Sequence, residues 1–151
     1  MKFNNAVVVV TGGASGIGRL MGKMALEKGA SHVAVWDINE TNLKDTIDEF
    51  SKIGKASGHI VDVSNPEAID RGYAETLELC GKVDILINNA GIITNNRYFS
   101  EQTDRDITLT MTINSVAPMM VARRILPDMI KRNHGHICTI ASAAGLLDMQ
   151  K

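Results

Sequence analysis

The chain has 151 residues, the length of one domain, with 44% hydrophobic and 22% charged residues, proportions ordinary for a chain that buries a sizeable core. A formal net charge of −1 and the lack of any basic run exclude a broad electrostatic attraction to nucleic acid or to an anionic membrane surface. No apolar run approaches the roughly 18 residues of a spanning helix, and the opening Met1-Lys2-Phe3-Asn4-Asn5 has no signal-peptide core, so a cytoplasmic chain is expected.

The first element is Val7-Val8-Val9-Val10-Thr11, followed by Gly12-Gly13-Ala14-Ser15-Gly16-Ile17-Gly18. Four valines without alternation suit a parallel strand covered on both faces. Glycines at positions 12, 16 and 18 suit a sharp turn, a close backbone approach to a ligand and a helix packed tightly behind it. A helix from about Gly16 to Lys28 would then present its unpaired N–H groups and the positive end of its dipole to a pyrophosphate. A plain strand-to-helix connection could also be glycine-rich. The context favours the phosphate site, because a second strand, His32 to Trp36, leads to Asp37, an acid at the spacing that binds an adenosine ribose.

Glu40 to Ile53 carries Leu43, Ile47 and Phe50 at helical spacing and ends before Gly54. Lys55 to Val61 reads as a third strand leading to Asp62 and Val63. Ser64 or Asn65 caps a helix that has Pro66 in its first turn and runs to about Cys80. Val83 to Ile87 is a fourth strand that ends in Asn88-Asn89-Ala90-Gly91. From about Thr103 to Asn133 the pattern is helical, with a break or kink expected before Pro118, around Asn114. A fifth strand, His136 to Ala141, ends at Ser142. Strands alternating with helices imply an α/β fold, a Rossmann-type doubly wound parallel sheet of about five strands, in one domain over 1–151.

Cys80 and Cys138, far apart and without C-x-x-C spacing, read as free thiols. His134 and His136 flank a turn glycine, and two ligands do not make a metal site, so none is expected. The strand His136 to Ala141 has no guarding charge or proline, and as a sheet edge it would invite association.

In this order, Thr11-Gly12-x-x-x-Gly16-x-Gly18, Asp62, Asn88-Asn89-Ala90-Gly91, Asn114 and Ser142 resemble the N-terminal part of a short-chain dehydrogenase/reductase. The wording Val35-Trp36-Asp37-Ile38-Asn39 and His134-Gly135-His136-Ile137 resembles the branch that includes retinol and hydroxysteroid dehydrogenases. The resemblance implies an NAD-dependent oxidoreductase that oxidises a secondary alcohol or reduces a ketone, a homo-oligomer when complete. Its cofactor residues would be Gly12, Ser15, Gly16, Ile17, Gly18, Asp37, Ile38, Asp62, Val63, Asn89, Ala90, Gly91 and Ile113. At Asp62 a turn or cap role weighs about equally from the residues alone. Asp37 would accept the ribose hydroxyls and repel a 2′-phosphate, and no Lys or Arg stands at Gly13, Ala14 or Ser15 to attract one, which favours NAD over NADP.

At the reacting end the resemblance implies Ser142, whose hydroxyl could polarise a substrate carbonyl, and Asn114, whose backbone carbonyl could hold a water of a proton relay. The family's proton donor is a tyrosine further along the chain, with a lysine partner. Counting on from Ser142, the sequence ends first, and Tyr73 and Tyr98 have no such lysine. The expectation is therefore an incomplete fold that lacks its C-terminal part and is inactive alone. A non-catalytic NAD(H)-binding module and an unstable product without function stand beside it as alternatives.

Overall fold

In the computed structural model, which describes residues 2–95 and 98–142, the valines form β1 (Val7–Thr11), and all five of its residues are buried. Four more strands follow, β2 (His32–Asp37), β3 (Ala56–Ile60), β4 (Ile85–Asn88) and β5 (His136–Thr139). They pair in parallel in the order β3-β2-β1-β4-β5. The doubly wound sheet expected from the alternating pattern is present.

Successive residues of a strand point to opposite faces, and both faces of β1 are covered. Val8 and Val10 pack with Leu26 of α1 (Gly16–Glu27) and with Leu43 and Phe50 of α2 (Glu40–Phe50). Val9 packs on the other face with Ile69 of α3 (Pro66–Cys80) and with Val121 and Ile125 of α5 (Ala117–Lys131). A shorter helix, α4 (Asp104–Met111), precedes α5. Burial of each such valine contributes about 1.5–3 kcal/mol relative to exposure, which explains an unbroken apolar run where a half-exposed strand would alternate. Trp36 is fully buried, and its indole N–H donates to Thr76 Oγ1 of α3 at 3.1 Å, so its one polar atom is satisfied.

The capping residues are those the spacing predicts, with one choice resolved. Asn65, rather than Ser64, caps α3, its side chain accepting from Glu67 N–H and Ala68 N–H. Several boundaries are shorter than expected. The second helix stops at Phe50 instead of Ile53, because Ser51 to Ile53 close a turn whose N–H groups return to Ile47, Glu49 and Phe50. The fourth strand begins at Ile85 instead of Val83: the Asp84 backbone still donates to Val7 O and accepts from His136 N–H, but its side chain takes the Val7 N–H at 3.0 Å in place of a backbone carbonyl. The fifth strand ends at Thr139 instead of Ala141.

The break before Pro118 takes the form of a π turn, Thr112–Val116, set into otherwise continuous helix. Pro127 lies inside α5, where the sequence reading placed no break. Among the described residues no helix is long and apolar enough to cross a membrane.

Candidate functional site

From β1 the chain winds outward to β2 and β3, then returns to place β4 on the other side of β1. That reversal leaves a crevice at the carboxyl ends of β1 and β4, where open parallel sheets bind ligands. The glycine turn lies at this point. Gly12 has φ +61°, and a Cβ on it would come within 2.8 Å of Ala90 Cα, so only glycine fits between the β1 and β4 loops. Gly16 has φ +51° with nothing within 4 Å of an added Cβ, so it leaves its backbone open to the cleft. A Cβ on Gly18 would collide with the Gly12 carbonyl and the Asn89 amide, so its contact is with the turn itself rather than with the strand.

The helix behind the turn begins differently from its neighbours. Asn39, Asn65 and Thr103 cap α2, α3 and α4 with side-chain hydrogen bonds, and each of those helices has an acid in its first turn. Ser15 caps α1 in extended conformation with no side-chain bond, and no acid stands in the first turn of α1. The unpaired N–H groups and positive dipole end of α1 are thus left for an external anion.

A cleft of about 380 Å³ opens in front of this helix, lined by Gly12, Ser15, Gly16, Ile17, Asp37, Ile38, Val61, Asp62, Val63, Asn89, Ala90, Gly91, Ile92 and Ile113. Every residue named from the sequence for the cofactor lines it, except Gly18, which is buried beneath. Asp37 stands at the end of β2, one carboxylate oxygen accepting from Ala14 N–H of the glycine turn and the other from Asn39 N–H, each at 3.0 Å. Asp62 combines the two roles that the residues alone left open. It lines the cleft, and its Oδ1 accepts from the Ser64 N–H at 2.8 Å and the Ser64 hydroxyl at 2.6 Å. Asn89 holds the turn in shape, its side-chain amide donating to the Thr11 and Gly12 carbonyls at 3.1 Å.

At the other end of the cleft, the Asn114 side chain clamps the loop after β4. Its Oδ1 accepts from Ile92 N–H and its Nδ2 donates to Ile92 O, each at 2.8 Å. The side chain is therefore committed to the loop, and what the π turn offers is backbone. Ala117 N–H reaches back to Thr112 O, and Pro118 has no N–H, so the carbonyls of Ile113 and Asn114 both lose their ordinary i+4 donors. Asn88 supports the same turn, its amide donating to Pro118 O at 3.1 Å, while its buried Oδ1 has no partner among the described residues. Ser142 is exposed just past the carboxyl end of β5, beyond Ile140, whose N–H donates to Asn88 O. Neither Asn114 nor Ser142 lines the cleft itself.

Thr11 was read only as part of the glycine motif, and Val61 and Ile92 of the cleft lining were not named for the cofactor. The Thr11 hydroxyl accepts from Asn89 N–H and Ala90 N–H at 3.0 and 3.1 Å, and Ile92 joins the cleft to the Asn114 clamp. A threonine directly before the first glycine was the only available signal. His134 and His136 are exposed, and no group of three or more metal-ligating side chains occurs among the described residues.

A parallel sheet whose order reverses beside an uncapped helix end, with a carboxylate closing the next strand, defines a dinucleotide-binding α/β protein. The short chain dehydrogenase family profile matches residues 6–151, and the chain belongs to that family. Over 140 residues it is 36% identical to 17-beta-hydroxysteroid dehydrogenase 13 and 39% identical to estradiol 17-beta-dehydrogenase 11, both of Homo sapiens. Each match takes in 92% of this chain and 46% of the relative, so the chain spans about half the length of the curated relatives it matches. Among solved structures it superposes on a short chain dehydrogenase/reductase from Burkholderia phymatum in complex with NAD, with a TM-score of 0.94 at 29% identity, covering 100% of this chain and 54% of that one. An NAD+-bound xylitol dehydrogenase gives a TM-score of 0.91 at 28% identity, covering 97% and 56%.

Proposed function

We propose that this chain carries the cofactor-binding half of an NAD-dependent oxidoreductase that interconverts a secondary alcohol and a ketone. The observation that carries the reading is the pairing of an uncapped α1 amino end with the Asp37 carboxylate across one cleft. The N–H groups of Ser15 to Gly18 suit a pyrophosphate, Asp37 suits the two ribose hydroxyls, and Ile38, Asp62 and Val63 suit the adenine. Gly16 leaves the backbone room that a dinucleotide requires, and Gly12 lets the β1 and β4 loops meet behind it. When bound, NAD supplies the hydride acceptor. The remaining work of the reaction is proton management, for which the chain offers the Ser142 hydroxyl and the π-turn carbonyls.

A general acid or base for the hydroxyl proton contributes typically two to four orders of magnitude to such a reaction. The two tyrosines of the chain lie elsewhere, Tyr73 on α3 and Tyr98 in the loop before α4. The 151-residue chain is therefore expected to bind NAD(H) more tightly than NADP(H) and to show no turnover of secondary alcohols or ketones. Fluorescence titration with both reduced cofactors tests the first expectation, and NADH absorbance with a panel of steroid, retinoid and simple secondary alcohols tests the second. Equal or tighter NADPH binding refutes the assignment of Asp37. Turnover that vanishes in Ser142→Ala refutes the need for a tyrosine.

A further inference from the structure

On the α3 side of the sheet, running from the amino end of β2 across β3, four side chains form one continuous hydrogen-bonded chain. His32 Nε2 lies 2.9 Å from Ser57 Oγ, Ser57 Oγ lies 2.9 Å from His59 Nε2, and His59 Nδ1 lies 2.9 Å from Glu75 Oε2. Three elements contribute. The parallel register sets Ala34 of β2 opposite Ser57 and Trp36 opposite His59, so His32, Ser57 and His59 share the face that α3 covers, and α3 brings Glu75 down onto it. Exposure is lowest at His59, whose side chain is 4% exposed, while at the two ends His32 is half-buried and Glu75 is 56% exposed.

Donor and acceptor rules leave this chain one arrangement when both rings are neutral. Ionised Glu75 only accepts, so His59 carries its hydrogen on Nδ1 and its Nε2 accepts. The Ser57 hydroxyl then donates to His59 Nε2, and its oxygen accepts from an N–H on His32 Nε2. Every bond is satisfied, and all three point toward Glu75. His32 Nδ1 takes no part in them.

We infer that His32, Ser57, His59 and Glu75 form a proton relay, in which a proton taken up at His32 emerges as positive charge on buried His59 and the two histidines hold one added proton between them. The transfer balances without any group changing place. The proton binds the lone pair of His32 Nδ1. The His32 Nε2–H bond breaks and its proton forms a new O–H bond on Ser57, while the original Ser57 O–H bond breaks and delivers its proton to His59 Nε2. His32 ends neutral as the opposite tautomer, Ser57 keeps one hydrogen, and the His59 imidazolium faces the Glu75 carboxylate. All three hydrogen bonds survive with the first two reversed.

A second proton has no place in the closed chain. It would set two imidazolium N–H groups against one hydroxyl oxygen, with the hydroxyl hydrogen left without an acceptor and two cations separated by a single atom. The titratable groups that bear on His32 are His59 across the hydroxyl and Lys55 at the entry to β3, both repelling a cation, whereas His59 has Glu75 as its counter-ion. Burial first, then His59 and Lys55, hold the His32 pKa below the ordinary histidine value.

The experiment is histidine-ring ¹⁵N–¹H NMR of the full chain from about pH 8 to about pH 5, the range in which an ordinary histidine takes up its proton. At the alkaline end His32 should be the Nε2–H tautomer and His59 the Nδ1–H tautomer. On acidification His59 should become imidazolium while His32 shifts to Nδ1–H and stays neutral, with one midpoint shared by both rings. Ser57→Ala should abolish the tautomer shift and split the shared midpoint, and Ser57→Thr, which keeps the hydroxyl on a strand-compatible side chain, should restore both. A His32 that charges fully with Ser57 in place overturns the relay, as does a tautomer shift that persists in Ser57→Ala.

Discussion

Replacing Asp37 with serine should exchange the order in which the cleft ranks the two nicotinamide cofactors. The carboxylate closes β2 with one oxygen on the Ala14 N–H and the other on the Asn39 N–H. Each carboxylate oxygen has a second lone pair, which leaves two acceptors for the ribose hydroxyls. A hydrogen bond to a charged group contributes about 1.5–3 kcal/mol net when buried. Asp37 is only half-buried, so solvent screening reduces the pair to about 2–3 kcal/mol together, roughly a 30- to 150-fold loss of NADH affinity on substitution. Against a 2′-phosphate the sign reverses. Two unit charges about 4 Å apart near a protein surface repel by about 4 kcal/mol, and screening at a cleft mouth leaves about 1–2 kcal/mol, so NADPH should gain roughly 5- to 30-fold. Serine retains a hydroxyl that can accept one of the two backbone N–H groups, which limits damage to the glycine turn. Calorimetric titration of Asp37→Ser and the parent chain with NADH and NADPH, at matched ionic strength, reads the change directly. If both affinities fall by the same factor, Asp37 acts only by shaping the turn and the specificity argument fails.

Gly18→Val should lower the affinity for either dinucleotide at least tenfold, because its Cβ collides with the Gly12 carbonyl, a backbone atom that cannot move without displacing the turn. Circular dichroism distinguishes this from global unfolding, and undiminished affinity would remove the turn from the site. Asp84→Asn should cost about 2–3 kcal/mol, less than a fully buried ion pair because Lys82 and Arg132 keep 43% and 26% of their side chains in solvent. That corresponds to roughly 4–12 °C in melting temperature for a domain of this size. Burial pushes the Asp84 carboxyl up, but hydrogen bonds from Lys82, the Val7 N–H and Arg132 outweigh it and leave the pKa below the usual carboxylate value. The native group is thus the stronger acid, so its contribution is complete above about pH 4 and is lost as pH falls through the lower folded value. Chemical denaturation against pH should show that acid-side loss in the parent chain and a flatter profile in Asp84→Asn. Equal slopes would refute the assignment.

What the sequence disclosed was local. The glycine turn, Asp37, Asp62 and the Asn65 cap each depend on neighbours within a few residues, and the apolar runs of β1 and β4 declare burial without reference to partners. Boundaries set by distant groups stayed hidden. Val83 and Asp84 look like strand, yet the Val7 N–H, 77 residues away, goes to the Asp84 carboxylate instead of to a backbone carbonyl. The histidine relay was hidden for the same reason. His32 and His59 were legible as residues in or beside strands, but their joining through Ser57 depends on the β2–β3 register, and Glu75 arrives from a helix that only the finished packing places.

Asn114 shows how a correct local reading can miss the device it belongs to. Pro118 guarantees a lost helical hydrogen bond, and that was legible. A kink would expose one carbonyl and bend the helix, whereas the π turn absorbs an extra residue and strips the ordinary donors from two adjacent carbonyls, Ile113 and Asn114. Which of the two forms depends on what holds the turn from outside. Here the Asn114 side chain is bound at both its polar atoms to Ile92, and Asn88 of β4 donates to Pro118 O. The strand that ends in the cofactor cleft therefore also grips the π turn. With both polar atoms of the side chain spent on anchoring the loop, an isosteric change at Asn114 would act through loop position and carbonyl geometry.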